Sequence, residues 1–176
     1  MELGAHLRTE PGAAAADFDG FFRVQFPGVA RAAALVARDI GAGQDAAQEA
    51  FARLFTRWHD MESPDHARNF AYRVAINLAR SHLRKHARVS LFGLKRSEQA
   101  TRDPNEHTVA WLEMSEALAG LTPRQRACVV LIDYADLDAA SAARILGMGT
   151  GTVRVHLMRG RRALRERLGL EPKEAP

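Results

Sequence analysis

The sequence contains very little cysteine: Cys128 is the single thiol among 176 residues. One thiol excludes a disulfide framework and a cysteine-rich zinc site, and it fits a reducing compartment. Long hydrophobic runs are also missing, since nowhere do about 18 apolar residues follow one another, and the N-terminus lacks a cationic start before an apolar stretch. These absences predict a cytoplasmic protein without membrane insertion.

Aromatic residues are scarce as well, at 7 % of the chain, and runs of β-branched residues are short. Ala and Arg dominate instead, a composition that favours helix over strand. The apolar share of 47 % is sufficient for a packed core. We therefore predict an all-α fold of two small helical domains joined by a flexible linker.

Helical periodicity and its interruptions divide the chain. Pro27 is expected to open a second helical piece, because Pro suits a first turn and breaks a helix interior. The segment GAGQD, residues 41–45, is expected to separate this piece from the next helix, and Ser63 with Pro64 marks the start of a long one. The predicted parts are a flexible N-terminal tail (1–16), a first domain (17–88), a linker (89–107), a second domain (108–168) and a C-terminal tail (169–176).

Basic residues are concentrated in two of these stretches, although the formal net charge is only +4 at pH 7. Residues 17–62 hold five Arg and seven acidic residues, whereas 63–88 and 150–168 each hold six basic residues and one acidic residue. Two separated basic segments predict two contacts with one polyanion.

The first basic segment places a polar row on one face of the predicted helix at 63–88, within an arc of about 80°. A line of guanidinium groups about 22 Å long can follow a phosphate backbone, and an amide within it can bind a base edge. The alternative interpretation is that these arginines only face solvent and bind no nucleic acid. The row consists of Arg73, Asn77, Arg80, Arg84 and Arg88.

Three aromatic residues lie beside or before this row. Rings next to cations can stack unpaired bases. Trp58 and Phe70 also fit the apolar stripes of their helices, so core packing is the favoured role for these two, whereas Tyr72 is expected to be exposed.

The helix that follows residue 45 has an acidic and amide patch beside its apolar stripe, formed by Asp45, Gln48 and Glu49. An acidic patch is a poor contact for DNA and a reasonable one for a protein. The alternative interpretation is again that these side chains only face solvent and bind no partner.

The C-terminal third predicts a helix-turn-helix. Asp138 is expected to cap the first helix, and Gly147 permits a left-handed turn before the second. The second helix has a buried seam and a basic outer face, and its first turn is expected to enter the major groove of DNA. The seam is formed by Val153, Leu157, Gly160 and Leu164, and the outer face by Arg154, Met158, Arg161 and Arg165.

Three segments in this order resemble the extracytoplasmic-function sigma factors of bacterial RNA polymerase. They are DAAQEAF (45–51), FAYRVAINLARSHLRK (70–85) and the stretch from LTPRQ to RGRRAL (121–164). The likeness covers most of the chain. It implies a second domain of the sigma region 4 type, winged-helix-like, and a protein that directs promoter recognition and melting without a catalytic site, cofactor or metal of its own.

The resemblance also implies three groups of site residues and three partners. The partners are core RNA polymerase, through the clamp and flap of its large subunits, promoter DNA, and an anti-sigma factor. Core polymerase would be bound by Asp45, Gln48, Glu49 and Phe51; the minus-ten region by Trp58, Tyr72, Arg73, Asn77, Arg80, Arg84 and Arg88; and the minus-thirty-five region by Thr150, Thr152, Arg154, His156, Arg159 and Arg161. Val155 and His156 stand where the family frequently has Ser and a basic residue, which predicts an altered upstream element.

Two other interpretations are open from the residues alone. A helix-turn-helix repressor or activator would act as a dimer on a palindromic duplex without polymerase. A nucleic-acid-processing enzyme would need metal ligands such as His82, His86 and His107, but Arg84 and Lys85 make that setting cationic and disfavour a metal.

Overall fold

The computed structural model of the protein describes residues 11–91 and 109–170, with side chains over 17–86 and 111–170. Within these ranges the secondary structure is helical, and no strand or wing is present. The α-helices are α1 (Pro11–Ala37), α2 (Ile40–Phe55), α3 (Pro64–Leu91), α4 (Val109–Ala119), α5 (Pro123–Val129), α6 (Ala139–Leu146) and α7 (Thr150–Arg167). A 3-10 turn (Trp58–Asp60) precedes α3, and a π-helical turn (Val130–Tyr134) follows α5.

Helices α1, α2 and α3 form the first domain around one apolar core. Helix α2 is capped by Asp39, whose Oδ1 accepts a hydrogen bond from Ala42 N at 2.8 Å. It crosses α1 closely at Gly43, where an added Cβ would stand 2.4 Å from Ala34 Cα. The small residues at this crossing allow the two backbones to approach.

Two predicted interruptions are wrong. Pro27 lies inside α1, which continues to Ala37, and the segment 41–45 belongs to α2. Pro27 removes one backbone hydrogen bond, at a cost of about 3 kcal/mol in a helix interior. Buried residues such as Val29 and Val36 follow it on the same helix, and their packing offsets that cost.

Element boundaries also differ from the prediction at two places. Helix α1 begins at Pro11, within the predicted tail, and α3 runs to Leu91, past the predicted end of the first domain. The linker from residue 92 onward and the side chain of Arg88 lie outside the described residues.

Helices α4 to α7 form the second domain, and the local signals predicted there at Asp138 and Gly147 are confirmed. Thr122 makes a capping box with Gln125 ahead of Pro123. Asp138 accepts hydrogen bonds from the backbone of Ala140 and Ser141, both at 2.8 Å. Gly147 ends α6 in the left-handed conformation, with φ 64°.

The two domains share one continuous cluster of buried apolar residues, and two arginines add hydrogen bonds where the domains meet. Arg126 of α5 is 3 % exposed. Its guanidinium donates to Leu118 O and Leu121 O at 3.0 and 3.1 Å, and to Val36 O of α1 at 3.5 Å. From the first domain, Arg68 of α3 donates to Ala135 O. Since each guanidinium satisfies carbonyls that end helical segments, these contacts fix the second domain on α1 and α3.

No helix within residues 11–91 or 109–170 combines the length and the apolar character that a membrane span requires.

Candidate nucleic-acid interface

Helix α3 presents three members of the polar row to solvent. Ser63 starts the helix, with its Oγ accepting from His66 N at 3.1 Å. Ala75, Ile76 and Ala79, which do not belong to the row, are fully buried. Arg73, Asn77 and Arg84 are exposed, as predicted, and Arg73 lies over the Phe70 ring at 5.3 Å. The ring thereby holds one guanidinium in place on the exposed face.

The expected exposure of Tyr72 is wrong, because its side chain is 3 % exposed. Its hydroxyl lies against Gly28 of α1, where an added Cβ would be 3.3 Å away, and the Arg68 guanidinium stands 5.7 Å from its ring. Burial raises the pKa of Tyr72, with Arg68 acting in the opposite direction. Tyr72 shares one side of α3 with the fully buried Ile76 and Ala79, so the helical period is consistent with its burial.

Arg80 is half-buried. Desolvation, then the like charges of Arg84 and of Arg124 from α5, lower the pKa of Arg80. The side chain therefore faces the second domain rather than open solvent.

Trp58 belongs to an aromatic cluster of the first domain. Its ring lies 5.2 Å from Phe18 in a T-shaped arrangement and 5.1 Å from Phe21. Phe70 is also buried, at 7 % exposure. Packing is thus the observed role of both rings, in agreement with the favoured interpretation of the sequence.

The acidic patch on α2 is exposed. Asp45, Gln48 and Glu49 face solvent, and Glu49 pairs with Arg53 one turn later at 2.6 Å. Phe51, by contrast, is 2 % exposed and packs edge-on against Phe22. Phe51 therefore contributes to the core beneath the patch, and the polar residues form its surface.

Helix α7 is held to the second domain by its predicted seam. Val153 is fully buried, and at Gly160 an added Cβ would stand 2.8 Å from Val129 Cγ2 of α5. Leu157 and Leu164 are half-buried. The close approach at Gly160 explains why this position of the seam has no side chain.

The residues expected to contact the upstream duplex separate into two groups. Thr152, Arg154 and Arg159 are exposed, and Thr150 is half-buried in the first turn. Arg161 is paired within the domain, because its Nη2 and Nε lie 2.5 and 3.1 Å from the Asp133 carboxylate. His156 is half-buried, and among the described residues its Nδ1 is buried without a hydrogen-bond partner. The hydrogen bond with Asp133 raises the pKa of Arg161.

The two histidines considered as metal ligands do come together, with ring centroids 4.2 Å apart. His82 Nε2 lies 4.0 Å from Asp39 Oδ2, and burial, then His86, lower the pKa of His82. Across the described residues, no three His, Cys, Asp or Glu side chains are placed to hold a metal ion. His107 lies outside those residues.

Sequence reasoning did not find the two inter-domain arginines. Burial, then Arg38, lower the pKa of Arg126 to about 10, which leaves the side chain charged near neutral pH. Arg126 lies four residues before the buried Val130, so the helical period places its charge within an apolar stripe. A charge at such a position indicates a buried arginine. Arg68 gives no comparable signal.

Comparison with known proteins links both domains to transcription factors of one kind. The sigma-70 region 2 family matches residues 26–89, and the sigma-70 region 4 family matches residues 111–164. The RNA polymerase sigma-E factor of Streptomyces coelicolor is 29 % identical over 152 residues, 86 % of this chain and of that protein. That of Streptomyces antibioticus is 30 % identical over 125 residues, 71 % of this chain and 69 % of that protein.

The fold has a solved counterpart. The sigma factor RpoE from Bartonella quintana, solved with the anti-sigma factor NepR, superposes with a TM-score of 0.73 at 20 % identity. The superposition covers 89 % of this chain and 99 % of that one.

Proposed function

Because the chain belongs to the sigma-70 family, in its extracytoplasmic-function group, we propose that it binds core RNA polymerase and directs promoter recognition, promoter melting and transcription initiation. The observation that carries this proposal is the presence of region 2 and region 4 in one chain, each with an exposed basic helix. A repressor or activator that acts without polymerase is not favoured, since region 2 has no place in that mechanism.

The domain division and the site residues belong to the same proposal. Helix α2 offers its exposed polar patch to the polymerase clamp, and Phe51 supports the patch from the core. On α3, Arg73, Asn77 and Arg84 contact the minus-ten region. Arg residues there neutralise phosphates, and the Asn77 amide can read a base edge.

The second domain contacts the minus-thirty-five duplex through the first turns of α7. Thr152, Arg154 and Arg159 are exposed there, and a helix N-terminus favours phosphate. We further expect a protein regulator of the anti-sigma type, because the sigma factor RpoE with a similar fold was solved in such a complex.

The test is reconstitution with purified core RNA polymerase of Streptomyces coelicolor, the source of the relative matched over 86 % of its length. We expect a stable holoenzyme that selects specific promoters from fragmented genomic DNA and starts transcripts there. A chain that binds duplex DNA as a dimer and never associates with core polymerase would overturn the proposal.

A narrower test addresses the patch on α2. Replacing Asp45, Gln48 and Glu49 together with Ala should weaken association with core polymerase about tenfold or more, because contacts at the centre of an interface carry most of its free energy. The matched control replaces Asp60 and Glu62, which are exposed acidic residues outside α2. Equal association of the patch variant and the control, with unchanged helicity, would contradict the assignment.

A further inference from the structure

Helix α7 can offer only one face to a duplex, because its opposite face is fixed to the second domain. Val153 is fully buried, and Gly160 lies against Val129 of α5. These two residues share one side, since seven residues make about two helical turns. Residue 155 is about 160° round the helix from Val153, so it stands near the centre of the free face.

The middle of that free face is apolar in the N-terminal half of α7. Val155 is 43 % exposed, and Met158, three residues later on the same side, is 63 % exposed. Arginines flank the pair at 154 and 159. A single exposed apolar side chain is ordinary, but here two adjacent ones occupy the N-terminal half of the free face, and Arg162, one turn after Met158, follows them in its C-terminal half.

Two polar neighbours of Val155 on α7 are less available to a base edge than Val155 itself. His156 has its Nδ1 buried, and Arg161 is held by Asp133. A Val side chain has no hydrogen-bonding group, and the one apolar group that a base pair presents in the major groove is the C5-methyl of thymine.

We propose that Val155 recognises a thymine methyl group in the duplex bound by α7, and so determines which base pair is accepted at one position of the upstream element. The inference rests on the proposed function and makes it more specific. Met158 extends the apolar contact along the groove, and Thr152 and Arg159 bind around it.

The experiment uses holoenzyme assembled from the full chain and core polymerase of Streptomyces coelicolor. Binding sequences are selected from duplexes with a randomised upstream element, and each thymine of the selected sequence is then replaced singly by deoxyuridine, which removes only the methyl group. Affinity for wild-type holoenzyme should fall about fourfold at one thymine, the effect of one buried carbon group.

The variant Val155→Ser should bind the thymine duplex about fourfold more weakly and show no further loss with deoxyuridine. Val155→Thr keeps one methyl and should retain part of the difference. Arg162→Ala, an exposed arginine on the same helix, is the matched control: it should weaken binding to every duplex and leave the fourfold difference intact.

An equal deoxyuridine penalty in wild type and in Val155→Ser, or no penalty at any thymine, would overturn the inference while the proposed function stands. Holoenzyme that forms but selects no upstream sequence would overturn the inference together with the proposed contact of α7 with the minus-thirty-five duplex, and would leave the proposed binding of core polymerase standing. Failure of holoenzyme to form would overturn both.

Discussion

Gly43 determines how closely α2 can lie on α1, and Gly43→Ala tests this contact. An added Cβ would stand 2.4 Å from Ala34 N, Cα and Cβ, whereas carbon atoms in contact prefer about 3.5–4.0 Å. The obstacle is backbone, so no side-chain rotation relieves it and the helices must separate. Overpacking of this kind costs about 1–3 kcal/mol, against a gain of about 1 kcal/mol in helix propensity.

The net loss therefore lies between about 0 and 2 kcal/mol. We expect the upper end, about 2 kcal/mol, which lowers the melting temperature by about 4–8 °C for a protein of this size. Thermal unfolding followed by circular dichroism measures it. Gly20→Ala is the matched control, because Gly20 lies within α1 and nothing is within 4 Å of an added Cβ. That variant should be about 0.5–1 kcal/mol more stable than wild type. A Gly43→Ala protein as stable as Gly20→Ala would refute the reasoning.

Two further predictions concern the second domain. Arg68→Ala removes the hydrogen bond to Ala135 O, and we expect it to enlarge the radius of gyration measured by small-angle X-ray scattering. The control Asp65→Ala, one turn earlier on α3, should leave that radius unchanged. Equal radii for the two variants would argue against a contact held by Arg68. Asp138→Ala removes the N-cap of α6 and should cost about 1 kcal/mol at neutral pH. Hydrogen bonds from Ser141 lower the pKa of Asp138 below its ordinary 3.8. The stabilisation by the Asp138 carboxylate is therefore complete above pH 3.8 and is lost as the pH falls through the lower folded-state pKa. The difference in free energy of unfolding between wild type and Asp138→Ala, measured in urea, should shrink in acid. A difference that stays constant with pH would contradict this.

The helices of the second domain were predictable because their signals are local. The hydroxyl of Thr122, the carboxylate of Asp138 and the absent Cβ of Gly147 each act within a few residues of their own position. The seam of α7 is equally readable, since helical period alone places Val153 and Gly160 on one side. Tertiary contact agrees with these local preferences and does not have to override them.

The first domain was less predictable because packing overrides local preference there. Pro27 and Gly43 would each weaken an isolated helix, yet α1 and α2 continue through them. The reason lies in the other helix, since Ala34 and Gly43 permit an approach that buries apolar residues on both sides of the crossing. A single helical pattern contains no information about its partner.

The candidate site shows the same limit at the level of side chains. The polar row on α3 follows from the period, and its exposed members Arg73, Asn77 and Arg84 lie within about 40° of one another. Arg80 stands at the edge of the row nearest to Tyr72, and these are the two that the second domain covers. In this arrangement α3 keeps most of its nucleic-acid face free while the other face holds the domains together. Release of the Arg68 contact should therefore increase the solvent exposure of Tyr72 and Arg80. The exposure of Arg73, Asn77 and Arg84 should stay unchanged.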